Sequence, residues 1–148
     1  MPDAELFPIP CPLFVAMAED GLVEGPLATG IAARYLDPVF RIPREQGLET
    51  PDTLVLACTH FPLLQSAIAE VAGQGVTLVD SATNTARVVK NMLREKHLDR
   101  GSGPSAGVAF CPGSTRFLTT DDPERFKRLG EQFLGMTLAP CSVELVRL

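Results

Sequence analysis

A chain of 148 residues, 45% of them hydrophobic, can fill the core of an ordinary domain, which excludes a disordered tail. Its formal charge of −5 comes from intermixed acidic and basic residues, so no basic stripe invites nucleic acid or an anionic membrane surface. No apolar stretch approaches the ~20 residues of a membrane span, and MPDAELFPIPCPLF lacks the charged and continuously apolar regions of a signal peptide; the expectation is a soluble, cytoplasmic protein.

The first helix is expected after Pro12, through LFVAMAEDG, with Gly21 placed to stop it. A second runs through PLATGIAARYLDPVF with Ile31, Tyr35 and Leu36 on one side, and the polar, proline-broken stretch from Arg41 to Asp52 reads as a surface loop. Thr53 to Ala57, TLVLA, is apolar without alternation, the pattern of an inner parallel strand covered on both faces. Pro62 suits the first turn of a helix in which Leu64, Ala67, Ile68 and Val71 fall at i, i+3, i+4 and i+7.

GVTLVD is a second short strand, followed by a helix that Ser81 can cap and whose Ala82, Ala86, Val89 and Leu93 form an inward stripe. Two strand-to-helix units in succession imply an α/β fold with parallel pairing. Asp99 to Gly107 reads as a loop; VAF and RFLTTDD read as extended. Asp122, Pro123 and Glu124 mark another helix start, with Phe126, Leu129 and Phe133 inward and Gly135 at the end, before a last strand in TLAPCSVELV.

The strand at Thr53 delivers Cys58, Thr59 and His60 to its carboxyl end, where ligands gather in open α/β sheets. A helix amino end there would favour an anion, either a substrate carboxylate or a thiolate. An ordinary thiol is only about 3% thiolate at neutral pH, so a neighbouring imidazole matters for reactivity. The spacing alone leaves open a buried core cysteine beside a satisfied loop histidine. Cys11, Cys58, Cys111 and Cys141 stand at wide intervals with no CxxC pair, and with two histidines in the chain no metal site or disulfide framework is expected.

LVLACTHFPLL, Leu54 to Leu64, resembles the GCTHYP segment of glutamate racemases, the cofactor-independent enzymes that make D-glutamate for bacterial cell walls. Four further stretches agree in order: CPLFVAMAEDG from Cys11, LVDSATNTARVV from Leu78, RFLTTDDPERF from Arg116 and CSVEL from Cys141. Ala57 stands where that family usually has glycine, Phe61 where tyrosine is common, and Ala16 where proline is frequent. Within the wider aspartate/glutamate racemase superfamily, His60 argues for the glutamate branch.

The resemblance implies a two-lobed α/β enzyme in which two cysteines work on opposite faces of the substrate. Cys58 matches the thiol acting on the L-glutamate side, His60 its acid/base partner, Thr59 a substrate-carboxylate contact and Glu19 an acidic residue near the active site; a solvated helix-end carboxylate is the alternative for Glu19. The Asp-Ser pair and the Cys-Asn-Thr motif of the family's first half do not occur in the sequence. The chain therefore looks like the C-terminal half, with residues 1–80 as the later part of the second lobe and 81–148 completing the first. Such a half is expected to be inactive by itself, and to self-associate or pair with an N-terminal half through its exposed edges.

No cofactor is expected, since no Gly-rich phosphate loop or Schiff-base lysine is recognisable. The alternatives are a racemase of aspartate or another dicarboxylate, a non-catalytic interaction module, and, last, a Cys-His thiol hydrolase.

Overall fold

The structure, a computed structural model, describes residues 4–99, 115–139 and 142–147. They form two compact units, Met1–Ala86 and Arg87–Leu148. No helix among the described residues is long and apolar enough to cross a membrane.

The first unit runs α1 (Pro12–Glu19), α2 (Gly25–Leu36), α3 (Arg41–Glu45), β1 (Thr53–Leu56), a 3-10 turn (Phe61–Leu64), α4 (Gln65–Ala72), β2 (Thr77–Asp80) and the start of α5 (Ser81–Glu95). Pro12 and Pro26 occupy the opening positions of α1 and α2, where a missing N–H has no helical partner to lose. Ala28, Ala32 and Leu36, spaced by four, are the buried residues of α2, while Ile31 and Tyr35 pack at the margin of the core. α2 packs on α4, whose Ala67, Ile68 and Ala72 are buried, and small side chains allow close approach. Leu64, Ala67, Ile68 and Val71 therefore face the core as their spacing predicts.

β1 and β2 pair in parallel, from Thr53 opposite Thr77 to Leu56 opposite Asp80. The expected cover on both faces of β1 is not found: Leu56 is buried, but Val55 is 59% exposed. An unbroken apolar run shows that a strand wants cover without showing which part of a molecule supplies it. The expected loop from Arg41 also contains a helix, α3. Its Pro43 lies in the first turn, where proline is tolerated, and the Arg41 guanidinium reaches Asp37 at 2.8 Å and Glu45 at 3.0 Å.

At the β2–α5 junction the cap is Asp80, one residue earlier than the expected Ser81. Its Oδ1 accepts from the Thr83 N–H at 2.7 Å, and its carbonyl oxygen accepts from Asn84 Nδ2 at 2.8 Å. The Thr83 N–H holds the Asp80 carboxyl below its usual range, against an opposing effect of burial. A carboxyl depressed on folding stabilises above its unfolded value, and that contribution is lost as pH falls through the folded value. Asp80→Ala is accordingly expected to lower the thermal midpoint at pH 7, and the gap from the parent should narrow as pH falls below about 4. Melting curves across that range check it; a gap that widens in acid would contradict the cap.

The stripe expected to face inward from α5 does not. No residue of α5 is buried, and Val88, Val89, Met92 and Leu93 are each 40–53% exposed.

The second unit holds the remainder of α5, then β3 (Phe117–Thr119), α6 (Pro123–Leu134) and β4 (Val143–Leu145). β3 and β4 pair in parallel, Phe117 opposite Val143. Asp122 caps α6 by accepting from the Glu124 N–H at 2.9 Å, and Gly135, at φ 63°, ends the helix in the left-handed conformation that glycine adopts without strain. Phe126 and Leu129 are half-buried, but Phe133, expected inward, is 45% exposed. The last strand is shorter than TLAPCSVELV suggests. Cys111, Cys141, the VAF segment and the loop from Arg100 to Gly107 lie outside the described residues.

Candidate active site

β1 ends on the buried Leu56, and the chain leaves it through Ala57 into the turn that carries Cys58, Thr59 and His60. The expected α-helical amino end next to the thiol is a 3-10 turn instead. Pro62 has no N–H to offer, and the N–H groups of Phe61 and Leu63 already donate to the Cys58 and His60 carbonyls at 3.3 and 3.1 Å. An anion held here therefore depends more on side chains than on a helix dipole.

Three side chains converge on one imidazole. Cys58 Sγ lies 3.8 Å from His60 Nδ1, and Thr59 Oγ1 lies 3.4 Å from the same nitrogen. On the far side of the ring, His60 Nε2 is 3.6 Å from Glu19 Oε1, within ion-pair reach but longer than a direct hydrogen bond. Glu19 is the last residue of α1, so a helix end, a strand end and the following turn build the cluster together. The four residues singled out from the sequence, Glu19, Cys58, Thr59 and His60, are thus neighbours.

The arrangement suits proton transfer. Cys58 and His60 are partly buried, with 24% of the imidazole side chain and 39% of the Glu19 side chain exposed, and Thr59 is exposed. A carboxylate facing Nε2 favours a proton on that nitrogen, which leaves Nδ1 as the acceptor toward the thiol or the hydroxyl. Cys11 offers a contrast: it is buried, its Sγ contacts the Ile9 carbonyl at 3.5 Å, and burial pushes its thiol up, away from the reactive thiolate. Among the described residues no group of three His, Cys, Asp or Glu side chains is arranged to hold a metal ion.

Sequence reasoning missed the row of rings beneath the cluster. Phe14, on α1, meets Tyr35 and Phe61 edge-to-face, each at 5.3 Å between ring centres. Aromatic residues on separate elements leave no shared periodic signal, so Tyr35 and Phe61 were each noticed on their own segments and their meeting at Phe14 was not.

No family model matches the chain. Curated relatives do. A glutamate racemase of Beutenbergia cavernae is 44% identical over 137 residues, spanning 90% of this chain and 44% of its own length. One of Syntrophus aciditrophicus is 38% identical over 99% of this chain and 48% of its own. Among solved structures, the glutamate racemase of Francisella tularensis in complex with D-glutamate superposes with a TM-score of 0.68 at 28% identity, over 99% of this chain and 48% of that one. The Thermus thermophilus enzyme in complex with beta-chloro-D-alanine gives 0.68 at 36% identity, over 93% and 46%. The chain spans about half the length of the relatives it matches. By sequence and by fold the chain is a homologue of about half of a glutamate racemase.

Proposed function

We propose that this chain supplies one side of the active site of a cofactor-independent glutamate racemase, interconverting L- and D-glutamate for peptidoglycan synthesis in the cytoplasm. The observation that carries the reading is the convergence of Cys58, Thr59 and Glu19 on the His60 imidazole. In this reading the Cys58 thiolate takes the Cα proton of L-glutamate: the C–H bond breaks, an S–H bond forms, and the electron pair stays on the substrate. In the other direction the thiol returns a proton to that face. His60 takes up and returns the thiol proton, Glu19 orients and charge-balances the imidazole, and the Thr59 hydroxyl donates to the substrate carboxylate.

Inversion also needs a group that delivers a proton to the opposite face. The family's motif for that second thiol, Cys-Asn-Thr, is not among these 148 residues. We assign it to residues outside them, upstream in a longer chain or on another chain, with residues 81–148 completing the lobe that bears it. Exposed Val55, Val88 and Leu118 support such pairing, since apolar side chains gain by being covered.

The test is proton NMR in D₂O, following Cα deuterium exchange and inversion of each enantiomer. The chain alone is expected to invert neither. Mixing it with a polypeptide corresponding to the uncovered half of the Beutenbergia cavernae relative is expected to restore both exchange and inversion. A folded, associated mixture that leaves glutamate untouched would overturn the reading, and turnover of aspartate instead would reassign the substrate.

A further inference from the structure

We infer that Phe14 is a positioning residue of this site: its edge-to-face contact with Phe61 sets the separation between the helix that carries Glu19 and the turn that carries Cys58 and His60. The inference rests on the Cys58–His60 reading above and adds to it the residue that holds the geometry.

Phe14 is buried, 2% exposed, and lies five residues before Glu19 on α1, a rise of about 7.5 Å along the helix. Phe61 directly follows His60. The two rings meet at 5.3 Å and 89°, within the preferred range for perpendicular aromatic pairs. α1 and the turn are therefore joined at two places, by the ring pair near one end of the helix and by the Glu19–His60 approach at the other. Phe14 also meets Tyr35 at 5.3 Å and 80°, and the Tyr35 hydroxyl accepts from the Leu13 N–H at 3.3 Å, which ties the first turn of α1 to α2.

This row fixes α1 in two respects at once. The rings resist sliding along the helix axis because a perpendicular contact weakens when either ring moves off centre. The Leu13–Tyr35 hydrogen bond resists rotation about that axis. A carboxylate at the end of an eight-residue helix keeps its distance from an imidazole only if both motions are checked. A proton relay is sensitive to sub-ångström changes in that distance, which is why the support beneath such a site decides its performance.

The contribution is separable from ordinary core filling. Phe40 is as large, 0% exposed and in the same core, but has no place in the row of three rings. The experiment measures alkylation of Cys58 by iodoacetamide in the full chain, quantified at that residue by mass spectrometry, from about pH 6 to 9. His60→Gln defines the profile of a thiol without its imidazole. Phe14→Leu and Phe61→Leu are expected to reproduce the His60→Gln profile, with the rate at pH 7 down about tenfold. Phe61→Tyr, which keeps the ring, should retain the parent profile, as should Phe40→Leu in spite of a lower thermal midpoint.

A parent profile in both Phe14→Leu and Phe61→Leu overturns the inference, and so does an equal change in Phe40→Leu, which would mean general loosening. Phe61 is only half-buried, so Phe61→Leu serves even where Phe14→Leu does not fold. If His60→Gln matches the parent, the Cys58–His60 reading itself has failed and the positioning role falls with it, a result distinct from the first two.

Discussion

Cys58→Ala is expected to abolish deuterium exchange into L-glutamate in the reconstituted assembly, while D-glutamate still exchanges slowly without inverting. The asymmetry follows from the two-base chemistry proposed above. With its thiol gone, the L face has no proton acceptor, and losing a positioned base costs roughly 10²–10⁴ in rate. In the proposed reading His60 serves the thiol and does not replace it, its Nδ1 standing 3.8 Å from the sulfur. The opposite thiol retains its own face, so it removes the Cα proton of D-glutamate and returns a deuteron from solvent to the same side. Proton NMR in D₂O separates the two outcomes, because exchange removes the Cα signal and retention leaves the chirality unchanged. Exchange of L-glutamate at the parent rate in Cys58→Ala would remove Cys58 from the mechanism. Loss of exchange from both enantiomers with the assembly intact would point to a single base serving both faces.

The motif turn was legible in the sequence because each of its parts has a local cause. An apolar run makes β1, Pro62 starts the turn, and the spacing of Leu64, Ala67 and Ile68 commits α4 to the core. What failed was whatever depended on context. Asp80 and Ser81 are both good capping residues, and only the point at which β2 stops decides that Asp80 takes the Thr83 N–H. α3 was hidden by Pro43, which breaks a helix interior but not a first turn. The nearness of Glu19 to His60 has no signature in spacing and came from the family resemblance alone; the structure supplies the physical route, a short helix whose last residue reaches the imidazole. The stripe of α5 was read correctly as a stripe and incorrectly as buried. Periodicity reports which face of a helix is apolar, and the partner of that face is a separate question.

That face sets the second large effect. Val89 and Leu93 lie four apart on α5 and are 46% and 40% exposed, with Val88 and Met92 beside them at 53% and 47%. Burying an apolar side chain of this size in full is worth about 1.5–3 kcal/mol, and roughly half of that remains to be gained at each. Replacing both with lysine forfeits about 1.5–3 kcal/mol between them and places two charges where a partner would exclude water, so the proposed association should weaken by at least tenfold to a hundredfold. The chain itself should be indifferent, because neither side chain fills its core: the thermal midpoint of the isolated chain is expected to stay at the parent value. Analytical ultracentrifugation of the double variant Val89→Lys, Leu93→Lys, alone and with the complementary half, reads the association directly. Leu6→Lys, at a site 84% exposed and outside α5, is the control and should associate as the parent does. Undiminished association would move the interface off α5, and a collapse of the thermal midpoint would mean that the stripe is already covered within the chain. Weakened association with an unchanged midpoint would identify the helix that follows β2 as the surface through which this half meets the rest of its catalyst.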